Sequence, residues 1–382
     1  MLFSTPVLNM QENKIVEELV SIRESLKYRL RSPRRWVGLI RRSAFARAIR
    51  GSNSIEGYNV TAEDAIAAVD GEEPMDAQSE TWAAVKGYRD AMTYVLQLAV
   101  DPHFAYNDGF IRSLHFMMLN YDILKNPGRW RPGSIYVRDD QKQEVIYEGP
   151  DADLVPKLMS GLITSLNFAD RTPVIVRAAM AHLNLVTIHP FSDGNGRMAR
   201  CLQTLVLARE GILEPQFCSI EEYLGRNTNE YYAALAEVAK GVWAPDNDAR
   251  PWLEFCLTAH HRQANTIVRR IKETERLWGE LEQAIELRGL PERTIFVLAD
   301  AAFGYKIRNA TYRSIAEISD QVASRDLKLL VQNGFLVPDG EKRGRAYVAS
   351  PMLKSLRERV REPRPQPAPL FEALYLPGLD PG

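Results

Sequence analysis

One short stretch constrains this chain more than any other. Residues 187–211, TIHPFSDGNGRMARCLQTLVLAREG, set two glycines around an asparagine between two apolar runs. The preceding AAMAHLNLVTI reads as an apolar helix that delivers His189 into a short loop, and a second helix is expected from about Arg197 to Glu210. Gly194-Asn195-Gly196 lets successive backbone N–H groups converge on one point, where the helix that follows adds the positive end of its dipole. Arg197 and Arg200, three apart on the first turn, bring both guanidinium groups to one face. Asp193 is a hard oxygen ligand suited to joining a divalent ion, Mg²⁺ or Mn²⁺, to phosphates. His189 is the one nearby side chain that is a neutral base near pH 7. Together these residues describe a polyphosphate site.

Taken singly, each has a plainer reading. A histidine ending an apolar helix is more often structural, a Gly-Asn-Gly is often only a turn and a helix start, and an arginine pair is often a solvated face. Their coincidence within twelve residues favours the site. Phe191 reads as an anchor of the loop to the core rather than a substrate contact.

The rest of the chain sets the frame. Its 382 residues, at about 150 per domain, suggest two or three domains. With 48 basic against 49 acidic residues, the whole molecule is not suited to non-specific nucleic-acid binding, although a local basic patch is still allowed. No apolar run approaches the roughly 18 residues of a membrane span, and MLFSTPVLNM does not read as a secretory signal. Three scattered cysteines, Cys201, Cys218 and Cys256, fit a reducing cytoplasm. Helical spacing recurs at 12–32, 79–99, 152–168, 173–187 and 229–240. Residues 128–150 differ: SIYV and EVIY flank a polar DDQKQ turn, which reads as a hairpin. A long charged helix from about residue 250 ends at Gly289-Leu290-Pro291. Residues 292–350 then read as helix, turn, helix and two short strands, the order of a winged helix-turn-helix. The proline-rich end is expected to be extended or disordered and able to dock a partner.

The run His189-Pro190-Phe191-Ser192-Asp193-Gly194-Asn195-Gly196-Arg197-Met198-Ala199-Arg200 resembles the Fic (filamentation induced by cAMP) motif, HPFx(D/E)GNGRxxR, at every defined position. The resemblance covers residues 50–245 well and the remainder more loosely. It implies a mostly α fold: a Fic-type helical core with a small β-hairpin flap, followed by a C-terminal winged helix. On that basis the chain divides into an N-terminal helical region (1–95), a core (96–248), a linker helix (249–290), the winged helix (291–350) and the tail (351–382).

The same resemblance implies roles. His189 takes the proton of a target Ser, Thr or Tyr hydroxyl, which attacks the α-phosphorus of ATP. Asp193 holds the metal, the N–H groups of Gly194, Asn195 and Gly196 form the anion hole, and Arg197 and Arg200 take the β- and γ-phosphates. Tyr232 lines the base and ribose pocket, while the flap around Ile135, Tyr136 and Val137 aligns the target segment. The product is AMP-modified protein, the chain itself included. No Walker-type or kinase motif set is present, which disfavours γ-phosphoryl transfer.

Ser52, Glu56 and Gly57 fit the family's inhibitory pattern, (S/T)xxxE(G/N), and its position before the core resembles the class II arrangement. Four residues apart on a helix, Ser52 and Glu56 share a face. Glu56 is then expected to pair with Arg200 and take the place of the γ-phosphate, and removal of AMP from targets is a further activity that the resemblance allows. The C-terminal module is only mildly basic. Ser324, Arg325 and Lys328, with Lys342-Arg343-Gly344-Arg345 in the wing, are its candidate DNA contacts, against a protein-docking or dimer-packing use. Competing readings are a nucleotide-sensing transcriptional regulator on a Fic fold and a Fic enzyme with another nucleotide donor. A bacterial, cytoplasmic homodimer is expected. Cys256, His260 and His261 lack a fourth ligand and do not make a metal site, and His115 and His182 are expected to satisfy core hydrogen bonds.

Overall fold

Two helices with almost no polar face set the architecture. Val174–Ile188 buries all but three of its positions and Asn195–Ala208 all but one, so both must be enclosed on every side. The structure, a computed structural model, describes residues 1–31, 34–138, 144–168, 170–340, 345–364 and 368–371. Val155–Asn167 and the first half of the 37-residue helix Arg250–Glu286 pack against Val174–Ile188, while Ser79–Val100 and Val37–Ile55 pack against Asn195–Ala208. Met10–Arg31 lies on Arg250–Glu286, and Asp108–Leu119 on Ser79–Val100. The fold is mostly helical, and no helix among the described residues is long and apolar enough to cross a membrane.

The helices expected from spacing lie within a few residues of Met10–Arg31, Ser79–Val100, Val155–Asn167, Val174–Ile188 and Thr228–Ala239. The boundary drawn at 95/96 falls inside Ser79–Val100, whose buried Trp82, Val85, Tyr88 and Met92 join the same core as the motif helices. The N-terminal region and the core therefore share one hydrophobic interior.

The hairpin is present. Tyr136–Arg138 pairs antiparallel with Val145–Glu148, Tyr136 opposite Glu148 and Val137 opposite Tyr147; the DDQKQ turn, 139–143, lies outside the described residues. The second strand is tied to the body, Glu148 N–H donating to the Gly241 carbonyl at 2.9 Å and Trp243 N–H to the Glu148 carbonyl at 3.1 Å. The first strand keeps an edge with no ladder partner among the described residues.

Beyond Arg250–Glu286 come Ile295–Ala302, Asn309–Ala316, Asp320–Gln332 and a hairpin of Leu336–Asp339 with Ala346–Ala349. Ser324, Arg325 and Lys328 are exposed, while Lys342, Arg343 and Gly344 lie outside the described residues. Ion pairs hold this module to the N-terminal helices, with Arg42 on Asp300 at 2.7 Å and Arg308 on Glu72. The unit drawn as a proline-rich tail from residue 351 begins with a helix, ahead of the stretch after about residue 362 expected to be extended. Pro351–Arg359 is a helix, begun by Ser350 Oγ accepting from Leu353 N–H at 3.2 Å and secured by Arg357 on Glu273 at 2.5 Å. Proline at the first helical turn favours a helix there rather than breaking it.

Candidate active site

His189 closes helix Val174–Ile188 in the left-handed conformation, φ +51° and ψ +58°. That geometry turns the chain sharply out of the helix, and histidine tolerates it better than a branched residue does. Its Nδ1 lies 3.0 Å from the Val186 carbonyl oxygen. A carbonyl only accepts, so Nδ1 carries the proton and Nε2 keeps its lone pair. Burial holds the imidazole below the ordinary histidine value, outweighing the Val186 bond and the Glu56 carboxylate. The ring is neutral at pH 7, in the tautomer a base requires.

The loop is fixed from both sides. Buried Arg131 donates from Nε to the His189 carbonyl at 2.8 Å, from Nη1 to Gly133 at 2.6 Å and from Nη2 to the Pro150 carbonyl, tying the loop to both ends of the hairpin. Asn195 spans the turn: its side-chain oxygen accepts from Phe191 N–H and its amide donates to the Phe191 carbonyl, each at 2.9 Å. Phe191 is buried and stacks on His115 at 3.6 Å, as an anchor should. His115 accepts from Gly128 N–H at 2.8 Å and, through Nε2, donates to the Asp193 carbonyl at 3.0 Å. Burial pushes that histidine down to about 4. His182 is likewise bonded in the core, to Gln203 at 2.6 Å and the Tyr231 hydroxyl at 3.1 Å.

One expected donor is committed elsewhere. Gly194, at φ +77°, gives its N–H to Asp193 Oδ1 at 2.6 Å, because the aspartate closes the turn on itself. Asn195 and Gly196 then open helix Asn195–Ala208, whose first N–H groups point out of its N-terminus. Arg200 is fully buried and heavily bonded: Nε to Ser52 Oγ at 2.7 Å, Nη2 to the Ser52 carbonyl at 3.1 Å and to Glu56 Oε1 at 2.6 Å. Helix Val37–Ile55 carries Ser52 and ends at Glu56; Gly57 follows at φ +83°, which releases the chain from the helix. Arg197 is just as buried, yet none of its guanidinium nitrogens meets a hydrogen-bond partner. It lies over the Tyr58 ring at 5.2 Å and 3.8 Å from Asp193 Oδ2.

Glu56, Val137, His189, Gly196, Arg200 and Tyr232 line one cavity of about 190 Å³. Tyr232 is half-exposed and reaches the Ile55 carbonyl with its hydroxyl at 3.3 Å. Ile135 and Tyr136 lie outside this lining, the first accepting from Gly149 N–H at the hairpin base and the second exposed.

Residues 108–207 match the family model described as Fic/DOC. The chain carries a Fic domain. It is 27% identical over 219 residues to "Protein adenylyltransferase Fic" of Nematostella vectensis, covering 56% of this chain and 46% of that protein. It is 40% identical over 91 residues to a protein adenylyltransferase of Caenorhabditis elegans, covering 24% and 15%. A probable protein adenylyltransferase of Aquifex aeolicus is 30% identical over 96 residues, covering 25% and 28%. The chain thus spans less than half the length of each of these relatives. Among solved structures, a Fic family protein from Desulfovibrio desulfuricans G20 superposes with a TM-score of 0.58 at 21% identity, covering 91% of this chain and 98% of that one. A fragment of the C. elegans protein gives 0.52 at 23% identity, covering 67% and 72%. These likenesses show the fold.

Three residues of the Fic domain and its flanks escaped the sequence reading. Lys125 Nζ sits 2.9 Å from Asp193 Oδ2 and 3.0 Å from the Tyr58 hydroxyl, so Asp193 meets an ammonium as well as an arginine. Burial works against the charged aspartate, yet Lys125 and Arg197 hold its carboxyl below the ordinary value. Arg131, described above, is the third, after Lys125 and Tyr58. Lys125 ends the short 3-10 helix Ile123–Lys125 and Arg131 stands in a loop, both far from the motif in sequence, and only the fold brings them to it. Tyr58 had one signal, its place directly after Gly57.

No group of three or more His, Cys, Asp and Glu among the described residues could hold a metal alone. Asp193 supplies a single carboxylate, which suits a divalent ion that takes its other oxygens from phosphate and water.

Proposed function

We propose that this chain is a protein adenylyltransferase that moves AMP from ATP to a Ser, Thr or Tyr hydroxyl and is held in check by Glu56. The observation that carries the reading is the cavity in which a neutral His189, correctly protonated at Nδ1, faces an Arg200 already engaged by Glu56. A pure nucleotide sensor has no use for that base.

In the proposed reaction the target oxygen bonds to the α-phosphorus, its proton passes to His189 Nε2, and the bond from the α-phosphorus to the bridging oxygen breaks to release pyrophosphate. Neutral hydroxyls are weak nucleophiles, so the base and the pre-placed positive charge supply the acceleration. Asp193 would hold Mg²⁺ or Mn²⁺, which when bound offsets phosphate charge. Arg197 offers its unpartnered donors to the β-phosphate, and Arg200 offers its fork to the γ-phosphate once Glu56 withdraws. The open edge of Tyr136–Arg138 would receive an extended target segment by strand pairing.

Mass spectrometry tests this on the parent, Glu56→Gly and Glu56→Gly/His189→Ala proteins after incubation with Mg²⁺ and ATP. AMP on a hydroxyl residue of the single variant alone is the expected result. No AMP on any of them, with modification from UTP, GTP or CTP instead, assigns a different donor.

A further inference from the structure

The chain's nearly balanced charge conceals a local excess of arginine. Two adjoining cavities, of about 330 and 400 Å³, share Arg47, Arg226, Phe303 and Tyr305, and lie between helices Val37–Ile55 and Arg250–Glu286 and the C-terminal module. Eight arginines line them against three glutamates, with no lysine or aspartate. Glu222 is the focus. It accepts from Arg270 at 2.5 and 2.6 Å and from Arg226 at 2.6 Å, and Arg47 stands 3.9 Å away. Three guanidinium groups thus converge on one buried carboxylate, leaving a local excess of positive charge there.

The cavity of about 330 Å³ adds to the excess. Arg357 spends one nitrogen on Glu273 at 2.5 Å, while its Nη1 is buried without a hydrogen-bond partner. Arg269 and Arg364 make no hydrogen bond or ion pair among the described residues, although both line the cleft. Like charges gathered in a low-dielectric cleft repel one another and focus potential toward an anion. Guanidinium forks match phosphate oxygens in pairs, and the apolar wall of Ile267, Phe303 and Tyr305 suits an organic remainder.

We propose that this cleft binds a small phosphorylated anion carrying more than one phosphate group, at a site separate from the motif cavity. It shares no lining residue with the cavity around His189 and Arg200. The site does not depend on AMP transfer.

The probe is inorganic tripolyphosphate, titrated calorimetrically into the full chain at about 0.15 M salt, where only close charge contacts persist. Three proteins are compared: the parent, Arg269→Gln/Arg364→Gln and Arg197→Gln. The two cleft arginines are partly or fully exposed and unpaired, so neutralising them leaves folding intact. The expected result is binding by the parent that weakens at least tenfold in the double variant and persists in Arg197→Gln. Binding that survives in the double variant and vanishes in Arg197→Gln assigns the anion to the motif cavity and overturns the proposal. Absence of binding by the parent overturns it too.

Discussion

Arg197 and Arg200 stand one turn apart on the same helix, equally buried, and their surroundings differ completely. Arg200 is bonded by Ser52 and Glu56, whereas Arg197 has an aromatic face and a distant carboxylate but no hydrogen-bond partner. A buried guanidinium without acceptors is costly, so a protein keeps one where an anion will supply them. At one end only Arg200 Nη1 lacks a partner within the chain, whereas at the other the whole Arg197 guanidinium is left for a ligand. On the proposed reading, helix Val37–Ile55 and Glu56 would compete with only one part of a nucleotide.

The base stands between the two ends and should matter most. In a Glu56→Gly background, His189→Ala is expected to lower AMP transfer by roughly 10²- to 10⁴-fold, the usual worth of a positioned general base. Rates measured by AMP incorporation check this; a loss under about threefold would remove His189 from the chemistry.

Next in size is Glu56→Gly alone. A charge-assisted hydrogen bond is worth about 1.5–3 kcal/mol, so freeing Arg200 should raise AMP transfer by roughly 10- to 100-fold. The variant should do this without tightening binding at the Arg197 end, which Glu56 does not touch. Equal rates for variant and parent would mean the two ends are not functionally different.

The buried supports behind the two ends titrate in opposite senses. His115, behind Asp193 and Arg197, is brought to about 4 by burial. Between pH 6.5 and 4 the unfolded chain binds a proton there that the folded one does not, so stability falls as pH falls through that window. Glu221, buried against the helix that carries Ser52, is pushed up to about 7 by burial. Between pH 4.5 and 7 the folded chain keeps a proton that the unfolded one has lost, so stability falls as pH rises. Glu221→Gln should therefore stabilise the protein by roughly 3 kcal/mol at pH 8 and far less at pH 5. Thermal melts of parent and variant across pH 5–8 decide this; equal shifts at both ends of the range would refute it.

How much of this was legible in the sequence follows the same division. The residues of 189–200 are local: spacing alone placed the helices, the turn and both arginines, because each interaction spans a few positions. Glu56 was legible through the resemblance of Ser52, Glu56 and Gly57 to the family's inhibitory pattern, but its 2.6 Å contact with Arg200 crosses 144 residues and depends on the packing of Val37–Ile55 beside Asn195–Ala208. Lys125 and Arg131 also reach the motif across long stretches of chain and left no local pattern, and Tyr58 left only its place after Gly57. Helix Pro351–Arg359 was not expected from the sequence either, since its burial of Leu353 and Leu356 depends on the body it packs against. The cleft arginines come from four separate stretches of chain, and no sequence window gathers them.

The smallest expected effect tests the ligand-ready end. Lys125 neutralises Asp193 at 2.9 Å, in the place from which a carboxylate would hold a divalent ion. A partly exposed ion pair is worth at most about 1 kcal/mol, so it delays the metal without excluding it. Lys125→Met keeps the length of the side chain and removes its charge. In the Glu56→Gly background it should shift the Mg²⁺ concentration for half-maximal AMP transfer down by about three- to fivefold, with little change at saturating Mg²⁺. A shift in the opposite direction would mean that Lys125 serves the phosphates rather than Asp193, and that the charge of this end, like that of Arg200, is spent on the nucleotide itself.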